Sequence, residues 1–151
     1  PAYGGGKLDA FIVRFSNNGS LKWSTYLGGE GTDRGNAIQS GGKFGVLVGG
    51  LTLSINFPVF QLANSYYQGV QNNNGIDDIT DGFLTFFNNL DDFYMSTYIG
   101  GTNTDEVTSI ATATGNNTIF LGGISKSVDF PVFDPTGNAD YYEFGNYLQY
   151  L

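Results

Sequence analysis

The sequence predicts an all-β fold built from repeated four-stranded antiparallel sheets, and three observations carry that prediction. The first is an internal repeat. Ser24-Thr25-Tyr26-Leu27-Gly28-Gly29 returns 72 residues later as Ser96-Thr97-Tyr98-Ile99-Gly100-Gly101, and Asp9-Ala10-Phe11 returns as Asp81-Gly82-Phe83 at the same spacing. A repeat of this kind is a unit that cannot bury its apolar face alone. The second is that one period holds four short runs rich in Phe, Tyr, Val, Ile and Thr, each bounded by Gly, Asn, Asp or Ser, the composition of strands and their turns. The third is the joint abundance of 23 Gly, 10 Tyr and 13 Phe, which suits many short strands better than disorder. Four antiparallel strands per period make the blade of a β-propeller, so the chain supplies about two blades of a larger or assembled propeller.

The elements follow in order. Ala10 to Phe15 alternates Phe11, Val13 and Phe15 with Ile12 and Arg14, which places the phenylalanines on one face, between blades. Asn18-Gly19 is a hairpin turn, and Leu21 to Leu27 returns with Trp23 as a core or inter-blade filler, its alternative being a ligand-stacking ring. Asn36 to Gln39 and Phe44 to Leu51 form a second hairpin; the latter run is apolar on both faces and so belongs between neighbours. From Thr52 to Thr80 the chain makes a long excursion through Phe57-Pro58-Val59-Phe60 and Tyr66-Tyr67, a length that points to function or to structure of its own. The second copy then opens at Asp81, with Met95 where Trp23 stood. Phe130-Pro131-Val132-Phe133 repeats at 73 residues, so the one-residue insertion lies between Ile110 and Gly122, in a surface hairpin.

The expected organisation is a first blade repeat with its connecting loop over residues 1–80, a second over 81–146, and the opening strand of a further repeat at 147–151. Two blades are too few to close a ring of roughly 4–8. The expectation is therefore either a piece of a longer array or a unit whose ring is completed by other copies.

The order DAF-x-V-x-F, N-G-S-L-x-W-S-T-Y-L-G-G, T-D-x-x-x-A-I, V-G-G and F-P resembles the seven-bladed β-propeller repeat (SBBP) family of secreted and surface proteins of bacteria, often Bacteroidota. The resemblance covers nearly the whole chain in two copies. It implies a radial array of blades outside the cell, on secreted, adhesin-like or structural proteins, and it implies no single reaction.

Composition removes several classes of activity. Histidine and cysteine are absent, which excludes Ser-His-Asp and Cys-His catalysis and imidazole or thiolate metal sites. Six basic against 14 acidic residues give a net charge of −8, which opposes phosphate backbones as partners. No apolar run is long enough for a membrane helix.

Three sets of residues are candidates. Asp33 and Asp105 recur at one position of both repeats, where each carboxylate can accept backbone N–H bonds and pin a turn. Asp77, Asp78 and Asp81 stand in an oxygen-rich, glycine-containing loop that calcium, a hard cation taking 6–8 oxygens, could use; the alternative is a solvated polar loop, with no cofactor at all. Tyr66, Tyr67, Tyr141 and Tyr142 form doublets in the two excursions, where exposed tyrosine grips sugar rings or protein surfaces or else tucks against its own blade. A carboxylate-pair glycosidase using Glu30, Glu106 or Glu143 needs two carboxyls at a set distance across one cleft, which sequence does not reveal.

The expectation is thus a non-catalytic extracellular module, structural or adhesive, with a protein or glycan surface as ligand. The alternatives are part of a secreted carbohydrate-active or carbohydrate-binding protein, and a self-assembling structural subunit.

Overall fold

The computed structural model describes residues 3–41, 45–72, 78–113 and 118–133. Eight strands follow in order: β1 (Ala10–Phe15), β2 (Leu21–Leu27), β3 (Asp33–Ser40), β4 (Val46–Thr52), β5 (Asp81–Phe87), β6 (Phe93–Ile99), β7 (Asp105–Ala113) and β8 (Thr118–Ser125). All pairings are antiparallel, and no helix occurs among the described residues.

The strands form sheets of two, four and two: β1-β2, β3-β4-β5-β6 and β7-β8. The complete sheet therefore straddles the two repeats, taking the last two strands of one and the first two of the next. The repeat and the sheet are out of phase by two strands. The join is β4 on β5, paired without a break from Val46↔Phe87 to Thr52↔Asp81.

The repeat extends to irregularities. β1-β2 and β5-β6 both slip register at the same place, Arg14/Phe15 and Phe86/Phe87. β3-β4 and β7-β8 both bulge, at Gly35/Ala37 and Val107/Ser109. The bulge explains the glycine pairs Gly49-Gly50 and Gly122-Gly123: a Cβ on Gly50 would fall 1.8 Å from the carbonyl oxygen of Arg34, and one on Gly123 2.0 Å from that of Glu106. Only glycine lets the partner backbone come so close.

The middle sheet is covered on both faces, and period-two alternation divides its side chains between them. Val48, Phe83, Phe87 and Tyr98 meet Ala10, Ile12 and Leu27 of β1-β2, with Phe57 from the excursion. Leu47, Leu84, Phe86 and Met95 face the other way and pack with Ile110 and Ile119 of β7-β8. This double burial is why Asp81–Phe87 is buried at every position and apolar on both faces. Each such Phe or Leu contributes about 1.5–3 kcal/mol by leaving water. Trp23 packs half-buried on Phe87, ring centroids 5.5 Å apart, at the margin of the first cluster.

The first excursion is folded onto the sheet rather than projecting from it. Ser96 exchanges backbone hydrogen bonds with Phe60, and the Tyr98 N–H donates to the Gln68 carbonyl. The excursion thereby covers the outer edge of β6, an edge that would otherwise invite foreign strands.

Candidate functional site

Each Gly-Gly turn after β2 and β6 is closed by a polar latch that the two repeats share bond for bond. Asp33 Oδ2 accepts the Gly29 N–H at 2.8 Å and the Ser54 hydroxyl at 2.7 Å; Asp105 Oδ2 accepts the Gly101 N–H at 2.7 Å and the Ser127 hydroxyl at 2.6 Å. The same hydroxyl oxygens accept the N–H groups of Gly31 and Asn103, both at 2.8 Å. Asn56 and Asp129 accept those of Glu30 and Thr102, again at 2.8 Å. A carboxylate collecting charge-assisted bonds from donors distant in sequence ties the turn to the segment that follows the next hairpin.

A second carboxylate stands against each latch. Above Gly100, the point a Cβ would occupy is 2.7 Å from Asp81 Oδ1 and 2.8 Å from Asp105 Oδ2; above Gly28 the corresponding point is 2.7 Å from Asp9 Oδ1 and 2.7 Å from Asp33 Oδ2. The Gly in this position is thus a gap that lets two carboxylates converge. Oδ1 of Asp9, Asp33, Asp81 and Asp105 is buried without a hydrogen-bond partner. The Asp81 carboxyl is pushed up to about 6, first by burial and further by Asp105, against the N–H of Asn72 and the amide of Gln68, which lower it. Two acids forced together out of water favour the protonated form of one of them.

Gln68 connects this pair to the surface. Its amide nitrogen donates to Asp81 Oδ2 at 2.9 Å, and its amide oxygen accepts the Gly100 N–H and the Tyr66 hydroxyl, both at 3.1 Å. Tyr66, half-exposed, stands at the rim of an open cleft of about 300 Å³ walled by Leu84, Met95, Ile99, Leu121 and Pro131. The Tyr66 hydroxyl titrates above its usual range, through burial first and the Asp81 charge second. The cleft offers an aromatic edge, apolar walls and a hydroxyl held by an amide, which suits a flat, part-apolar ligand.

The candidates from sequence fall in different places. Asp33 and Asp105 lie at the turns, in the latches. Asp81 is fully buried beside Asp105, whereas Asp78 is exposed with φ of 66°. Among the described residues no group of three or more Asp, Glu, His or Cys converges on one point. Of the tyrosines, Tyr66 lines the cleft and Tyr67 lies against Gly69, whose absent Cβ would sit 2.8 Å from its ring. Asp77, Tyr141, Tyr142, Glu143 and residues 147–151 lie outside the described residues. Glu30 is exposed at the turn, and Glu106 accepts a bond from Asn36 at 2.8 Å on a different strand. Sequence reasoning did not single out Gln68 or the pairing of Asp81 with Asp105; the shared 72-residue spacing of Asp9/Asp81 and Asp33/Asp105 was the signal for the latter.

No protein-family model matches the chain, and no curated protein matches it.

Proposed function

We propose that this chain is a non-catalytic, extracellular β-propeller module, structural or adhesive, that meets a glycan or protein surface through the cleft beside Tyr66. The observation that carries the reading is that cleft: a half-exposed aromatic ring over apolar walls, positioned by Gln68. Repeat spacing, the straddling four-stranded sheet and the likeness of the STY[LI]GG, TD and FP landmarks to SBBP repeats support the propeller and the location outside the cell. The acids that converge, Asp81 with Asp105, are wholly buried and stand at the starts of strands, where they bind backbone N–H groups, a structural use of carboxylates that supports the non-catalytic reading.

A glycan array probed with the chain and with Tyr66→Ala tests it. Binding by the former and at least tenfold weaker binding by the latter is the expected result. Hydrolysis of a polysaccharide would replace the proposal with the enzymatic alternative, and identical binding by the two proteins would remove the cleft from it.

A further inference from the structure

Among the described residues the two outermost strands, β1 and β8, match the two halves of an interface that the chain already forms once within itself, β5 on β4. β5 pairs with β4 through its second edge, whereas β1, its counterpart 72 residues earlier, has no strand beyond it among the described residues. β8 corresponds to β4 and likewise has none. Burial follows the same division. Phe11 is 70% exposed where its counterpart Phe83 is 0%, Tyr26 is 48% where Tyr98 is 0%, and Phe120 is 58% where Leu47 is 0%.

The internal join also shows how these faces are covered. Phe57, from the segment after β4, sits against Phe83 and Tyr98 with ring centroids 4.5 and 6.0 Å away. The Tyr98 hydroxyl donates to the Ser54 carbonyl at 2.6 Å and accepts the Phe57 N–H at 3.0 Å. The counterparts of Ser54 and Phe57 are Ser127 and Phe130, which follow β8, on the other side of the middle sheet from the hairpin of Phe11 and Tyr26.

We infer that copies of this chain associate head to tail, β8 of one copy pairing antiparallel with β1 of the next in the register Ile119↔Phe15 to Ser125↔Asp9. Phe130 of the first copy enters between Phe11 and Tyr26 of the second, and the Tyr26 hydroxyl meets the backbone of Ser127 and Phe130. The occupant is a second copy because its β7-β8 hairpin carries the same bulge, latch and Phe-Pro landmark as β3-β4, which covers the equivalent face internally. Each contact makes a complete four-stranded sheet and leaves one fresh end on each side, so the association is heterologous and closes as a ring or extends as a filament. The inference rests on the stacked-sheet part of the reading above, and it competes with the cleft for one surface. Phe83, Phe87 and Tyr98 cover Ile12 and Leu27 internally, and the counterparts of these two are Leu84 and Ile99 of the cleft wall, so that wall is open to a ligand only where no further copy follows.

The test uses the chain's lack of cysteine. Val13→Cys with Leu121→Cys places the two thiols on facing positions of neighbouring copies, and mild oxidation should yield a ladder of disulfide-linked multimers. Val13→Cys with Phe120→Cys is out of register by one residue, which turns the side chains to opposite faces, and should yield none. In light scattering the native chain should show a multiple of the single-chain mass. Phe130→Ala should weaken association about a hundredfold. Tyr26→Phe, which alters only an exposed hydroxyl and leaves the fold intact, should weaken it about threefold to tenfold. A single-chain mass at millimolar concentration, equal cross-linking by both cysteine pairs, or a disulfide within one chain overturns the inference. So does a monomer whose β8 amides are protected from exchange, since another segment would then hold that edge. A monomer that still binds a glycan through Tyr66 would sink this inference alone.

Discussion

The Tyr98 hydroxyl donates to the Ser54 carbonyl oxygen at 2.6 Å across 44 residues of sequence, and accepts the N–H of Phe57 on its other side. One buried phenol therefore serves two backbone polar groups of the loop at once. Burial, above all, pushes this hydroxyl up to about 12, so it stays a donor throughout the ordinary pH range. Tyr98→Phe leaves the Ser54 carbonyl and the Phe57 N–H with only the longer 3.3 Å bond between the two of them, and should cost about 1–2 kcal/mol in urea unfolding. A loss below about 0.5 kcal/mol would mean that the loop finds other partners.

Gly100 should refuse any side chain. A methyl group there would press on both Asp81 and Asp105, the buried first residues of β5 and β7, so Gly100→Ala should destabilise by about 2–3 kcal/mol. Gly19 is the comparison: φ is 82° and nothing lies within 4 Å, so Gly19→Ala should cost only the left-handed backbone penalty of about 1–2 kcal/mol. Equal losses at the two sites would show that crowding around the carboxylates is not what selects glycine.

Asp81 makes stability depend on pH. Its carboxyl, pushed up to about 6 from 3.8, holds a proton in the folded chain over a range where the unfolded chain has released it. Its contribution is therefore fully present below about pH 4 and is lost as pH rises through about 6. Asp91 and Asp129, both held below the usual carboxylate range, work in the opposite direction as pH falls. Asp91 is lowered first by the nearby indole N–H of Trp23, which stops short of a full hydrogen bond, and then by Arg14. Those groups are common to wild type and to Asp81→Asn, so they cancel in the difference between them. The variant should gain stability relative to wild type between pH 4 and 7; a flat difference across that window would contradict the raised value.

Trp23→Ala should cost about 3 kcal/mol, the lower end for a large aromatic, because the ring is only half-buried on Phe87. A change under about half a unit would assign the ring to a binding surface.

Much of the fold was legible because hydrophobic alternation and glycine punctuation are local. The runs at Ala10–Phe15 and Leu21–Leu27 are the observed strands to the residue, and Asn36–Gln39 is the inner part of Asp33–Ser40. Which hairpin joins which is not local. The β4-β5 ladder closes across the whole excursion, so chain order suggested a sheet within each repeat where the structure builds one across two. Burial was misleading for the same reason. Phe11 and Phe83 hold the same position in the repeat, but among the described residues only Phe83 has a sheet on its far side. In the excursion, whose length pointed to function or to structure of its own, Phe57 is a core plug, because its role is set by Tyr98, 41 residues away. The cleft was half-legible: Tyr66 drew notice as an exposed aromatic, while Gln68, which holds it, carries no pattern that marks it in sequence.

The offset between repeat and sheet resembles brickwork, in which each course overlaps the joint below. Because the seam between consecutive repeats lies in the middle of a sheet, no repeat can come away without tearing the seven residue pairs that run from Val46↔Phe87 to Thr52↔Asp81. Neighbouring repeats are consequently bound to melt together, and a load applied along the chain is shared across the seam instead of finding a weak plane between bricks.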